Sequence, residues 1–188
     1  MKRFPLMTLG LAALCAAAAL VPAAALEYDR IRVGEGEAWR LLTGQTVHWT
    51  ARMAAFDLGM LLGLGLWLEI RGDRRLAIMA LVLGAGLTAL AVHAFSPGLL
   101  VYRGSSGAAS ALFVLAAVRG AGSSDRWARV LALAAVALFL GKAAFEWLSG
   151  QTLFAGPLPQ GVRVVPLVHL LGGFGGLAGR SRERVLDP

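Results

Sequence analysis

The sequence predicts an all-α membrane protein, a bundle of six spanning helices forming one domain over residues 1–188. Three observations predict it. Charged residues are only 15% of the chain and hydrophobic ones 57%, where an ordinary soluble domain carries about 25% charge. Long stretches hold no charge at all. The basic residues gather at the ends of those stretches, more heavily at alternate ends.

The stretches define the elements in order. Residues 4–26 are uncharged over 23 positions, 76–102 over 27, 104–118 over 15 and 164–179 over 16. Residues 53–68 carry one acid, Asp57, and 130–148 carry only Lys142 and Glu146. Crossing the hydrocarbon core takes roughly 20 helical residues. Lipid leaves open backbone groups unsatisfied, and the stretches lack strand alternation, so helix is the assignment. Helices are expected over residues 4–26, 51–69, 76–95, 106–119, 127–148 and 164–179, with an outer loop over 27–49 and a Gly/Pro-rich lid loop over 149–163. Residues 1–26 also fit a cleavable secretory signal, with Lys2-Arg3, a Leu/Ala core and Ala23-Ala24-Ala25. Retention as a first helix is the expectation.

Charge sets orientation and excludes classes. With the N-terminus cytoplasmic, 11 Lys and Arg fall on the cytoplasmic side and 6 on the outer side. That excess puts both termini in the cytoplasm. The net charge of +7 therefore reflects membrane anchoring, and a nucleic-acid partner is not expected. One cysteine, Cys15, excludes a disulfide framework and a cysteine zinc site.

Two stretches carry the chemistry. The fourth opens with Arg103-Gly104-Ser105-Ser106-Gly107. A helix from Ser106 to Val118 is about 20 Å long and does not reach across a bilayer. Its N-terminus must lie below the outer surface, in protein or a wet cavity. There the free N–H groups of the first turn suit an oxyanion, and the hydroxyl suits a nucleophile. Ser105 is the rival nucleophile. The sixth stretch places His169, Gly172 and Gly176 on one helix face. A glycine face lets a neighbouring helix approach closely. A neutral imidazole at that place can act as base. His48 and His93 are rival bases, or anchors of loops and helix ends. Asp57 is a functional candidate because acids inside apolar helices are costly, or it makes a hydrogen bond to a neighbouring helix. Lys142 and Glu146 stand four apart, as a structural pair does, or shape the substrate entrance.

At these residues the chain resembles the rhomboid family of intramembrane serine proteases. Gly104-Ser105-Ser106-Gly107 matches that family's Gly-x-Ser-Gly motif, and His169, Gly172 and Gly176 match its His-x-x-Gly-x-x-x-Gly motif. Trp39-Arg40 matches a pair in the first outer loop. The small size, Trp39-Arg40-Leu41-Leu42-Thr43-Gly44, His48-Trp49, Asp57 and Lys142…Glu146 look like the rhombosortase branch. The resemblance implies a six-helix fold and a serine endopeptidase with Ser106 and His169 as its dyad. The backbone of Ser105 and Ser106 would form the oxyanion hole, supported by Gly104, Gly107, Gly172 and Gly176. It implies no metal or organic cofactor. It implies membrane-anchored substrates bearing a C-terminal Gly-Gly motif, an apolar helix and a basic tail. The location implied is a bacterial inner membrane, with the site open to the periplasm. The chain departs from the family at Met53 and Asp57, where many members carry His and Asn as oxyanion donors, and at Ser110, where a tyrosine is common. An inactive rhomboid-like protein that binds or escorts other transmembrane proteins is the alternative.

Overall fold

The computed structural model describes residues 4–154 and 156–177. Lys2, Arg3, Gly179, Arg180, Arg182 and Arg184 lie outside them.

The chain is mostly helical. Helix α1 (Leu6–Ala19) stops three residues before Pro22 and is followed by a single turn, α2 (Ala23–Leu26). The single helix expected over residues 4–26 is therefore two helices. Pro22 has no N–H to donate, and its ring disfavours helix at the preceding residue. The outer segment is more ordered than a loop. It contains strand β1 (Tyr28–Asp29) and the short helices α3 (Arg30–Gly34) and α4 (Arg40–Thr43). Then come α5 (Ala51–Ile70), α6 (Arg74–His93), strand β2 (Val101–Tyr102), α7 (Ser106–Ala121), α8 (Arg126–Ser149) and α9 (Leu167–Leu177). Strands β1 and β2 pair antiparallel, Tyr28 opposite Tyr102.

Three helices, α5, α6 and α8, are long and apolar enough to cross a membrane, at 20, 20 and 24 residues. Helices α1, α7 and α9 are apolar but shorter, at 14, 16 and 11 residues. Many large apolar side chains face outward, and several polar ones are buried. Val82, Leu131, Leu138 and Leu148 are at least 67% exposed, while Glu69, Thr88 and Glu146 are at most 3% exposed. Apolar side chains facing out and polar ones facing in suit a lipid surround.

Polar contacts fix the helix directions. Glu69, near the end of α5, accepts the free N–H groups of Met7 and Thr8 at 2.9 and 3.0 Å, and the Thr8 hydroxyl at 3.0 Å. A carboxylate from a neighbouring helix thus caps α1, whose own N-cap residue, Pro5, offers no side chain for it. Asp73 pairs with Arg119 at 3.1 Å and joins the start of α6 to the end of α7. The start of α1, the α5–α6 turn and the end of α7 therefore share one end of the molecule, and with them Arg71, Arg74, Arg75 and Arg119. At the other end Arg30 donates to the carbonyls of Val92, His93, Ser96 and Leu99, at 2.9–3.0 Å. That satisfies the last carbonyls of α6. The buried Arg40 likewise donates to the carbonyls of Ala24 and Glu27 and to Glu37. So Arg40 is a structural clamp, while its neighbour Trp39 is exposed.

Candidate functional site

Helix α7 is the centre of the site, and glycines let α6 and α9 close on it. A side chain at Gly172 of α9 would meet the Gly107 carbonyl carbon and Cα at 2.7 Å. One at Gly107 would meet Thr88 of α6, and one at Gly176 would meet the Ala111 carbonyl. The backbones of α7 and α9 are thus in direct contact at Gly107 and Gly172. Ser106 precedes the first by one residue, and His169 precedes the second by three, about one helical turn. Both side chains line one cavity of about 400 Å³. Gly172 and Gly176, on the face read from the sequence, turn to α7, while the His169 ring reaches α8.

The turn into α7 leaves its first residue, Ser106, half-buried at the cavity. Gly104 has φ +144°, and a Cβ there would lie 2.6 Å from the Met53 methyl, so only glycine fits. Its N–H donates to the Gly44 carbonyl at 3.1 Å. Its carbonyl accepts the Tyr102 hydroxyl at 3.0 Å. Burial raises the Tyr102 pKa above its ordinary value, so the phenol stays neutral. No side chain caps the first turn of α7, so its N–H groups remain available to an oxyanion. Ser110 donates to the Ser106 carbonyl at 2.7 Å.

The rest of the cavity separates into an apolar wall and a charged corner. Phe56 and Phe154 stack at 4.6 Å, and Phe113 and Phe139 at 5.6 Å. Thr152, Leu153 and Phe154, after α8, also line the cavity. Gly150, at φ +66°, ends α8 in the left-handed cap that glycine adopts freely. The Phe154 carbonyl accepts Arg52 at 3.2 Å, and the Leu153 N–H donates to Glu146 at 3.1 Å. In the charged corner His169 Nε2 lies 3.2 Å from Glu146 Oε2 and 3.1 Å from Lys142 Nζ. Lys142 and Glu146 pair at 2.7 Å. The i,i+4 pair expected from sequence is present, with the histidine added to it.

Asp57, Lys142 and Glu146 all line the cavity with Ser106 and His169. Ser105 and His48 stand behind it. His48 Nε2 lies 3.1 Å from Ser105 Oγ and 3.4 Å from Asp57 Oδ2. A relay would use both ring nitrogens, one toward the acid and one toward the serine. Here one nitrogen faces both. Ser105 is 3% exposed. His93 is elsewhere, 3.2 Å from the Tyr28 hydroxyl at the end of α6. Among the described residues, no group of three His, Cys, Asp or Glu side chains could hold a metal ion.

Sequence reasoning missed the link from His169 to Glu146, the Ser105–His48 contact and the Arg30 cap. No motif signals them, because each joins residues at least 23 positions apart. Matched against known proteins, the chain finds no family model, no curated protein and no solved structure.

Proposed function

We propose that the protein is an intramembrane serine endopeptidase of rhomboid type, crossing the membrane six times with both termini cytoplasmic. Its substrates are membrane-anchored proteins, cut near their transmembrane helix, in particular those ending in Gly-Gly, an apolar helix and a basic tail. The bacterial inner membrane, with the cavity facing the periplasm, is the location that goes with this reading. One observation carries it: Ser106 and His169 open into the same cavity, on helices in backbone contact at Gly107 and Gly172.

In the mechanism His169 takes the Ser106 proton as Oγ attacks the substrate carbonyl carbon. The carbonyl π pair moves onto oxygen, held by N–H groups of Ser105 and Ser106. The proton passes to the departing amine as the C–N bond breaks. Water then releases the acyl group by the same steps. The apolar wall accepts the unwound end of the substrate helix.

A second assignment is favoured by one distance, the 3.1 Å between Ser105 Oγ and His48 Nε2. It makes Ser105 the nucleophile, although Ser105 lies outside the cavity lining. Co-expression with a Gly-Gly-tailed membrane reporter tests both. Wild type and Ser105→Ala should cleave, and Ser106→Ala should not. Cleavage by Ser106→Ala with loss in Ser105→Ala would reverse the assignment. Absence of cleavage by wild type would favour a non-catalytic helix-binding protein.

A further inference from the structure

Resting on that reading, we propose that Glu146 is a positioning residue for His169, extending the dyad to Ser106–His169–Glu146, and that Lys142 competes for the same imidazole nitrogen. Glu146 has a 2% exposed side chain in the last turn of α8. Lys142, one turn earlier, would suffice as its ion-pair partner. Yet Glu146 also receives the Leu153 N–H at 3.1 Å and faces His169 Nε2 at 3.2 Å. Such a carboxylate sits at the junction of α8, α9 and the segment after α8.

The ring can carry its proton in two ways. With the proton on Nε2, the imidazole donates to Glu146 Oε2, and Nδ1 is left as an acceptor. That nitrogen has no partner among the described residues, and it is the one that can take the Ser106 proton. With Lys142 donating to Nε2, the proton must sit on Nδ1, and the ring is no base toward Ser106. Glu146 therefore selects the working tautomer. It also opposes the positive charge that the ring gains during attack, while Lys142 adds to it. Through the cycle the Ser106 proton moves to Nδ1 and then to the leaving nitrogen. Glu146 stays ionised and keeps accepting the Nε2–H of the ring throughout. The other charged groups at the cavity are Asp57 from α5, Arg103 after β2 and Arg163 before α9, together with the neutral Tyr102. These are unchanged in the variants below, so differences between variants arise from α8.

The full-length protein in detergent gives two readouts. The first is the pH profile of labelling by a serine-reactive fluorophosphonate. The second is ¹⁵N NMR of histidine-labelled protein, with His169→Gln assigning the signal, to show which ring nitrogen holds the proton. The wild type should carry it on Nε2. Glu146→Gln should label at least tenfold more slowly, with its pH midpoint moved about one unit lower. Lys142→Met should move the midpoint higher. Glu146→Asp should recover part of the rate. A wild-type rate and midpoint in Glu146→Gln would overturn the proposal, as would a wild-type proton on Nδ1. Equal loss of labelling in Glu146→Gln and Glu146→Asp, accompanied by loss of the melting transition, would also overturn it by making the role structural. If Ser106→Ala labels as fast as wild type, the protease reading falls, while the NMR experiment still judges the Glu146–His169 link.

Discussion

Replacing Gly172 with alanine should separate the two halves of the site without touching either reactive group. The added Cβ would lie 2.7 Å from the carbonyl carbon and Cα of Gly107. Carbon atoms rest about 3.5–4.0 Å apart, so α9 must move away from α7 by about 1 Å. Overpacking of this kind costs about 1–3 kcal/mol. A displacement near 1 Å between reacting groups costs about a hundredfold in rate. Gly172→Ala should therefore melt measurably lower in detergent and lose about two orders of magnitude in fluorophosphonate labelling. Gly63→Ala is the control. A methyl group added there would find no atom within 4 Å, and helix propensity favours alanine by up to about 1 kcal/mol. It should leave labelling unchanged and melting equal or higher. Unchanged melting and labelling in Gly172→Ala would refute the idea that the glycine contact sets the distance between Ser106 and His169.

Other perturbations reach the frame. Glu69→Gln keeps the shape but loses the charge that caps α1. It should lower stability by about 1–3 kcal/mol and expose residues 6–19 to protease, whereas unaltered digestion would refute the capping role. Glu37 lies between α3 and α4, and its hydrogen bond from Arg40 holds its pKa below the ordinary 4.5. A depressed carboxyl pKa gives stability that is present above 4.5 and lost as the pH falls through the lower folded value. Hydrogen exchange over residues 30–43 should thus rise on acidification below about pH 4.5. Glu37→Gln should flatten that acid rise, and an unchanged rise would assign it to other groups.

The long helices were legible because lipid imposes length and apolarity on them. Observed α6, α7 and α8 begin within two residues of expectation, and Ser106 is the first residue of its helix. The break at Pro22 was hidden by the unbroken apolar run around it, although a proline inside such a run is itself a helix-stopping signal. Residues 27–49 were expected to be a partly ordered loop, but its particular elements were not legible, for a different reason. Their order depends on Arg30 and Arg40 reaching carbonyls from other elements, and arginines in a loop read equally well as surface charge. The site was partly legible. Helix periodicity put His169 and its glycines on one face, and composition put Ser106 at a helix start. Which ring nitrogen meets which neighbour depends on how α8 and α9 pack. Spacing four apart revealed Lys142 with Glu146, but not the histidine beside them.

The central claim is that one hydroxyl, Ser106, is activated by one imidazole, His169. Intact-mass and peptide mass spectrometry after fluorophosphonate treatment tests it most directly. A single adduct is expected on Ser106, absent in His169→Ala and undiminished in His48→Ala. An adduct on Ser105, or one on Ser106 that survives loss of the His169 ring, would contradict it.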